Sequence, residues 1–195
     1  LTLTDCILDG NWANNGGGMY NDYSNPSLSD CTLSRNLAER GGAMNNYKGN
    51  PTLTDCTFSG NSAYYGGGMY NYNSSPVLTG CQFSASSAPF GGGMYNYGSS
   101  PALTNCIFSG NAASIGGGIY NFRQNSPALT NCTFVGNSAK NGNGLACFSS
   151  GQGDESRVVL TNCIFRDGGG EISNDGPSTV KVAYSNMGGG WPGEG

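Results

Sequence analysis

The sequence predicts an all-β chain wound into a parallel β-helix, and two repeated phrases in its 195 residues support this prediction. The first phrase is LTDC or a variant of it, and its cysteine returns about every 25 residues. The second is GGGMYN or a variant, and it follows most of the cysteines by about ten residues. Repeats with a period of about 20–50 residues are typical of solenoids and arrays. The phrases therefore predict a solenoid of about seven coils.

The composition favours a folded chain and limits the classes of partner that the chain is expected to bind. Charged residues make up 10% of the sequence and aromatic residues 11%, whereas disordered chains are usually rich in charge and poor in aromatic residues. The net charge is −4 and the eight basic residues form no stripe, so we expect no nucleic-acid partner. No apolar run is long enough to span a membrane. We expect a single β-helix domain over residues 1–195, belonging to a longer chain, because neither a signal peptide nor an initiator methionine is present.

Residues 51–75 represent one coil. Helix signals are absent there, because apolar residues do not recur at a spacing of three to four and glycines cluster. Three short runs, PTLT, CTF and GMYNY, are predicted as strands, and Asp55, residues 59–61 and residues 73–75 supply the corners. Stacked coils lie about 4.8 Å apart, so seven coils would make a rod roughly 30–35 Å long.

Stacking turns the equivalent positions of successive coils into columns. Three apolar columns are predicted to fill the core: Leu3, Leu28, Leu53, Leu78, Leu103, Leu129 and Leu160; Leu8, Leu33, Phe58, Phe83, Phe108, Phe134 and Phe165; and Met19, Met44, Met69, Met94, Ile119 and Leu145. An inward amide column is expected to satisfy its own hydrogen bonds: Asn21, Asn46, Asn71, Asn96 and Asn121. A second amide column is placed at a corner, where asparagine tolerates left-handed backbone: Asn11, Asn36, Asn61, Asn111 and Asn137.

The cysteine column is predicted to consist of buried free thiols: Cys6, Cys31, Cys56, Cys81, Cys106, Cys132 and Cys163. Cys56 lies two residues before Phe58 and therefore shares its inward face. Parallel Cβ atoms about 4.8 Å apart are too distant for an unstrained disulfide, which needs about 3.8 Å. Because the chain has no histidine and no CxxC motif, we expect neither a metal nor a cofactor. Cys147 replaces the asparagine of the MYN phrase and is expected to face the interior from another wall.

The repeats carry a family resemblance. FSGN (residues 58–61 and 108–111), followed by GGGM or a variant, resembles the FxxN and GG-apolar repeats of polymorphic outer-membrane-protein type β-helices. It is also similar to the repeats of secreted bacterial right-handed parallel β-helix proteins. The resemblance covers nearly the whole chain and implies a right-handed coil and a secreted or cell-surface location. Residues 182–195 resemble the closing phrase of such proteins, and residues 149–157 are predicted to bulge from the rod as a loop insertion.

Two aromatic columns form the candidate binding site: Tyr20, Tyr70, Tyr95 and Tyr120, with Asn45 in the gap, and Tyr47, Tyr72, Tyr97 and Phe122, continued by Phe148. Alternation with the inward methionines and asparagines predicts that both columns point outward as a flat aromatic wall. Stacking that stabilises the sheet is one interpretation. A contact surface for glycans or for another protein is the second, because large exposed aromatic patches usually mark a partner. We expect the first column to be replaceable without unfolding the rod.

Catalysis is the alternative function. A polysaccharide lyase or glycoside hydrolase of this fold would need clustered carboxylates, and one acidic column is present: Asp5, Asp30 and Asp55. Gly80 and Asn105 continue that column, so turn formation explains it, and a calcium ion there is left as an open alternative. Asp154 and Glu155 form the one compact charged group, with Arg157 and with Arg166 and Asp167 nearby in sequence. A solvated loop is the favoured interpretation of this group, and a hydrolase dyad is the alternative.

The sequence therefore favours a non-catalytic structural or adhesive segment of a secreted or cell-surface protein. The expected partners are a glycan or protein surface and further copies of the chain. No capping helix or charged closing strand is visible at either end, so unpaired strand edges are expected there. Head-to-tail stacking on such edges need not close and would build a filament.

Overall fold

The computed structural model of the chain describes residues 1–151 and 153–188, and these residues form a right-handed parallel β-helix. They contain 25 strands and no helix, so no described segment could cross a membrane as a helix. About seven stacked coils, with three main strands in each, confirm the predicted fold class. Residues 189–195, which hold half of the predicted closing phrase, lie outside the described residues.

Each coil contributes one strand to each of three parallel sheets, named here for the residue that dominates them. The Leu sheet consists of β1 (Thr2–Thr4), β4 (Ser27–Ser29), β7 (Thr52–Thr54), β10 (Val77–Thr79), β14 (Ala102–Thr104), β18 (Ala128–Thr130), β21 (Arg157–Thr161) and β24 (Thr179–Ala183). The Phe sheet consists of β2 (Ile7–Asp9), β5 (Thr32–Ser34), β8 (Thr57–Ser59), β11 (Gln82–Ser84), β15 (Ile107–Ser109), β19 (Thr133–Val135), β22 (Ile164–Arg166) and β25 (Asn186–Met187). The Tyr sheet consists of β3 (Met19–Asp22), β6 (Met44–Tyr47), β9 (Met69–Tyr72), β13 (Met94–Tyr97), β17 (Ile119–Phe122), β20 (Leu145–Phe148) and β23 (Ile172–Asn174). A corner pair, β12 (Ser87–Phe90) and β16 (Ala112–Ile115), joins the Phe and Tyr sheets.

The strands pair in register, so like residues stack on like residues. Leu53 lies opposite Leu78 in the Leu sheet, and Phe58 lies opposite Phe83 in the Phe sheet. The phenylalanine rings from Phe58 to Phe165 stack nearly parallel, with centroids 4.4–4.9 Å apart. The three predicted apolar columns are buried from the second coil onward. Burial of each such large side chain contributes about 1.5–3 kcal/mol before the entropy cost of folding is counted.

Left-handed residues form the corners. The predicted acidic column lies at one of them: Asp5, Asp30 and Asp55 have φ of 50–53°, and Gly80 and Asn105 continue the corner at 66° and 55°. The interpretation of this column as turn formers is confirmed. At the next corner the asparagines were predicted to have left-handed backbone, and this was wrong. The left-handed residue is the one before the asparagine, as at Gly60. The asparagine itself is buried and hydrogen-bonded.

The inward amides form a continuous ladder within the lumen. The Nδ2 of each asparagine donates to the Oδ1 of the next, at 2.8 Å from Asn21 to Asn46 and at 2.9 Å from Asn96 to Asn121. The ladder confirms the prediction that these amides satisfy one another. It ends at Cys147, whose Sγ lies 3.8 Å from the Nδ2 of Asn121. Cys147 therefore faces the lumen, as predicted.

All eight cysteines are free thiols, and all except Cys6 are buried. Each thiol of the column donates to the carbonyl oxygen of the residue two positions earlier, as Cys56 Sγ does to the Thr54 oxygen at 3.3 Å. Burial raises the pKa of the Cys147 thiol to about 12, which makes it a poor thiolate at neutral pH. The thiols of the column are packed in the main core with the leucine and phenylalanine columns, where they fill space as small hydrophobic groups.

The predicted insertion is a loop between β20 and β21. Its Asp154 carbonyl accepts the backbone N–H of Gln124 at 3.0 Å, and the Asp154 carboxylate lies 3.7 Å from the Arg123 guanidinium. These contacts fold the insertion back onto the corner of the preceding coil. The next coil then resumes in register, with Leu160 opposite Leu129.

Candidate functional site

The first aromatic column does not form an exposed wall. Tyr70, Tyr95 and Tyr120 are only 8%, 5% and 5% exposed, whereas Tyr20 in the first coil is 48% exposed. These rings point away from the lumen, as predicted. They are not exposed to solvent, so that part of the prediction was wrong. They form a second apolar cluster outside the tube, separate from the main core. Removing them is expected to destabilise the rod, contrary to the prediction that they are replaceable.

A column of residues at the neighbouring corner covers these tyrosines. Tyr65, Phe90 and Ile115 stack on one another through the corner pairing and lean over the Tyr sheet. The Tyr65 ring lies 5.4 Å from that of Tyr95, and the Phe90 ring lies 5.9 Å from that of Tyr120. The covering role of this column was not predicted from the sequence. Its signal was a large apolar residue directly before the glycines in three successive coils.

Burial also sets the ionisation of the covered rings. It raises the pKa of Tyr70 and of Tyr120 to about 12, and it raises that of Tyr95 further. Their hydroxyls therefore remain neutral at physiological pH. This cluster is a structural element rather than a reactive one.

The second aromatic column remains accessible and is called here the outer row: Tyr47, Tyr72, Tyr97, Phe122 and Phe148. Its side chains are half-buried, and neighbouring rings lie 5.0–5.7 Å apart. Tyr47 and Tyr72 are stacked at 11°, and Tyr72 and Tyr97 at 15°. The predicted outward orientation holds for this column.

Two cations flank the outer row. Lys48 Nζ lies 5.2 Å from the centroid of Tyr47 and donates to the hydroxyl of Tyr23 at 2.9 Å. The Arg123 guanidinium lies 5.6 Å from the centroid of Tyr97 and donates to its hydroxyl at 2.9 Å. Such contacts contribute about 0.5–1 kcal/mol each at exposed sites. The row therefore has one cation beside Tyr47 and a second beside Tyr97 and Phe122, and the second cation also pairs with Asp154.

The aromatic cluster is interrupted in coil 2 (residues 26–50). Asn45 stands there in the tyrosine column, and Arg40 stands in the covering column. A pocket of about 280 Å³ results, called here the coil-2 notch, and it is lined by Asn15, Tyr20, Arg40, Asn45, Tyr47, Tyr70 and Tyr72. Asn45 is 3% exposed, and its Nδ2 donates to Asn15 Oδ1 at 3.2 Å, whereas its Oδ1 has no hydrogen-bond donor. Leaving a buried acceptor without a donor costs about 1–3 kcal/mol.

The acidic residues considered for catalysis or calcium are dispersed. Within residues 1–151 and 153–188 no group of three or more Cys, Asp or Glu side chains is arranged to hold a metal ion. In the insertion, the Asp154 carboxylate also accepts a hydrogen bond from the Ser150 hydroxyl. A groove of about 570 Å³ lies beside the insertion, and Glu155, Arg157 and Lys181 are its charged lining residues.

Two buried carboxyls differ from the prediction: Asp167 was expected with the solvated charged group near the insertion but is buried, and Glu171, which was not singled out, is buried beside it. Asp167 and Glu171 end the corner amide column, and each is at least nine-tenths buried. Asp167 Oδ1 accepts the backbone and side-chain N–H groups of Asn137 at 2.8 and 2.9 Å, and Glu171 Oε2 accepts the Asp167 N–H at 3.0 Å. Asp167 Oδ2 and Glu171 Oε1 have no donor. The signal was an aspartate at the column position of asparagine, in the run FRDGGGE.

A comparison with family models and with curated proteins completes these observations. A family model described as a right-handed beta helix region matches residues 1–153. No curated protein matches the chain.

Proposed function

Because the chain belongs to the right-handed β-helix family over most of its length, we propose that it is a non-catalytic adhesive segment of a bacterial secreted or cell-surface protein. The outer row, in this proposal, contacts glycans. The resemblance of the FSGN and GGGM repeats to surface-displayed β-helices supports the location. The aromatic strip, rather than the fold, supports the adhesive role, since one fold carries many functions.

The half-exposed outer row is the observation that carries the proposal. The rings of Tyr47, Tyr72 and Tyr97 stack in parallel planes at the spacing of the coils, and Phe122 meets Tyr97 edge-on at 63°, so the row offers a continuous aromatic strip along the rod to a sugar chain. Lys48 and Arg123 add hydrogen-bond donors for hydroxyl or carboxylate groups. Rows of this kind are uncommon on free surfaces and usually mark a partner.

The chemistry around the row supports binding rather than catalysis. Glycoside hydrolysis generally needs two carboxyls that flank the scissile bond. In the described part of the chain, Asp22 lies at the N-terminal end of the row opposite Tyr47 and Asp175 follows Phe148 at the C-terminal end, so these two carboxyls are separated by the length of the row and do not face each other across one bond. The Asp154 carboxylate at the other end is engaged with Arg123 and Ser150.

The test is binding to a panel of immobilised polysaccharides by the wild type and by a double variant, Tyr72→Ser with Tyr97→Ser. We expect at least tenfold weaker binding, which corresponds to about 1.4 kcal/mol. The matched control is Val77→Ser with Ile107→Ser, which removes exposed apolar side chains from the other two sheets and should leave binding unchanged. Equal binding by the wild type and both double variants would contradict the proposal.

The same panel tests catalysis. The chain is incubated with each polysaccharide with and without calcium, and new reducing ends or unsaturated products are measured. We expect none. Products that accumulate with time would replace the adhesive proposal with a carbohydrate-active enzyme.

Head-to-tail stacking into a filament is the structural part of the proposal. In the first coil Leu3, Cys6, Leu8 and Met19 are only partly buried, because the described coils cover them on one side. The free edges of β1, β2 and β3 offer unpaired backbone groups to another chain. Light scattering should show mass rising with concentration, whereas a monomer that persists at high concentration would contradict stacking.

A further inference from the structure

The coil-2 notch is the place where the aromatic cluster fails to repeat. In the coils that follow, a tyrosine of the Tyr sheet packs under an aromatic or aliphatic corner residue, as Tyr70 does under Tyr65. In coil 2 both positions are polar, with Asn45 between Tyr20 and Tyr70 and with Arg40 beside Tyr65. A tyrosine at position 45 would continue the column. Packing therefore does not explain the asparagine.

The polar groups of the notch are only partly satisfied within the chain. Asn45 Oδ1 has no donor although the residue is nearly fully buried. Arg40 pairs with the exposed Glu39 at 3.2 Å, a contact on the solvent side. Arg40 and Tyr70 both line the notch, and the charge of Arg40 opposes the burial that raises the pKa of Tyr70 to about 12. The notch thus combines an unused acceptor, a cation and aromatic faces.

Tyr20 closes one side of the notch and is 48% exposed. Tyr20 pairs with Asn45 across the two coils and forms the solvent side of the notch beside the Asn45 amide. The volume of about 280 Å³ lies just below that of most small-ligand pockets, which span about 300–1,000 Å³. That size suits one sugar ring rather than a length of chain.

We propose that the coil-2 notch is a subsite for one acidic monosaccharide unit of a glycan. A ring hydroxyl of the unit donates to Asn45 Oδ1, its carboxylate pairs with Arg40, and its C–H face rests on Tyr20 or Tyr70. The subsite rests on the proposed glycan contact of the outer row, which it adjoins through Tyr47 and Tyr72. It would select a charged unit on a chain that the outer row holds.

The experiment measures binding of methyl glucuronide and methyl glucoside to the wild-type chain by calorimetry. We expect saturable binding of the glucuronide and at least tenfold weaker binding of the glucoside. Asn45→Tyr fills the notch with the residue of the neighbouring coils, so it should fold and lose glucuronide binding at least tenfold. Arg40→Gln should lower the affinity for the glucuronide to that for the glucoside. This second variant tests the proposal even if Asn45→Tyr fails to fold.

Tyr97→Ser separates the two proposals, because Tyr97 belongs to the outer row and does not line the notch. It should weaken polysaccharide binding and leave glucuronide binding unchanged. If the wild type binds polysaccharides but no glucuronide, or if Asn45→Tyr and Arg40→Gln both bind it like the wild type, the subsite is overturned and the outer row stands. If neither polysaccharide nor glucuronide binds, the proposed function and the subsite are both overturned.

Discussion

The corner column is built from amides in most coils and from carboxyls at its C-terminal end. In coils with asparagine, the Oδ1 accepts a backbone N–H from the preceding coil, and the Nδ2 donates to a carbonyl of that coil, as Asn137 does to Phe108 at 2.9 Å. Asp167 keeps the first contact, since its Oδ1 accepts from Asn137 at 2.8 Å. Its Oδ2 occupies the place of the asparagine Nδ2, and this oxygen has no hydrogen-bond donor.

Glycines show that the two groups occupy the same place. A Cβ added at Gly18 would lie 3.2 Å from Asn36 Nδ2, and one added at Gly144 would lie 2.6 Å from Asp167 Oδ2. Glu171 lies in the same coil as Asp167, and its carboxyl takes the place that the amide of the next coil would fill by accepting the Asp167 N–H. A Cβ added at Gly188 would lie 2.9 Å from Glu171 Oε1 and 3.2 Å from the Phe165 carbonyl oxygen. The column geometry is therefore set by the coil, and the side chain decides only whether a donor is available.

The largest effect is expected where a carboxylate enters the middle of the amide column. Asn111 is fully buried, and its Nδ2 donates to the Phe83 carbonyl and to Asn137 Oδ1, each at 2.9 Å. Asn111→Asp removes both hydrogen bonds donated by Nδ2 and places a buried negative charge beside the Phe83 carbonyl oxygen and Asn137 Oδ1. We expect a loss of about 3–5 kcal/mol of unfolding free energy at pH 7, measured by urea denaturation.

The matched control is Asn105→Asp. Asn105 is exposed and left-handed, and aspartate already fills that column in the first three coils. Its effect should stay within about 0.5 kcal/mol, as for most surface changes. Equal losses for the two variants would mean that burial in the corner column is not the cause.

The next effect is a pH dependence at the C-terminal end. Burial raises the pKa of Asp167 from 3.8 to about 6, and the neighbouring Glu171 adds to the shift, while hydrogen bonds from Asn137 oppose it. The folded chain then holds this proton more tightly than the unfolded chain does. Asp167 therefore contributes no penalty below about pH 4, and unfolding free energy falls as the pH rises from about 4 to about 6.

The size of this fall is about 1–3 kcal/mol, because a pKa difference of one between the folded and unfolded chains corresponds to about 1.4 kcal/mol. Asp167→Asn supplies the missing Nδ2 and cannot ionise. It should remove this part of the pH profile and raise stability at pH 7 by a similar amount, as read from urea melts at pH 4, 5, 6 and 7. A profile unchanged by Asp167→Asn would assign the pH dependence to other groups.

The sequence predicted the repeating parts of this molecule and missed its exceptions. Periodic phrases define the strands, the apolar columns and the lumenal amide ladder, because each position sees the same neighbours in every coil. The burial of Tyr95 was missed, since alternation along a strand says nothing about a residue such as Phe90 that reaches over from the next corner. The unpaired oxygens of Asn45 and Asp167 were missed for the same reason: they depend on contacts between columns.

A smaller effect is expected from Glu171→Gln. The Glu171 Oε2 bond to the Asp167 N–H can be kept by the amide oxygen, and the new Nε2 can donate toward the Phe165 carbonyl. One added hydrogen bond is worth about 0.5–1.5 kcal/mol. Because Glu171 contacts Asp167, the gains of Glu171→Gln and Asp167→Asn should not add in the double variant. Strictly additive urea midpoints would show that the two carboxyls act independently.

The smallest effect is expected at the one serine within the column. Ser86 Oγ accepts the Asn61 N–H at 3.3 Å but donates to the Ser84 carbonyl at 3.2 Å, so it does not reach across to the preceding coil. Ser86→Asn would offer an Nδ2 to the Phe58 carbonyl and to Asn111 Oδ1, in exchange for the bond to Ser84. The gain of about one hydrogen bond is offset by about 0.5–1 kcal/mol of side-chain ordering, so we expect a stabilisation of about 0.5 kcal/mol or less. Destabilisation instead would show that the start of β12, where the corner forms a regular strand, leaves no room for an amide, and the break in the column would then be steric.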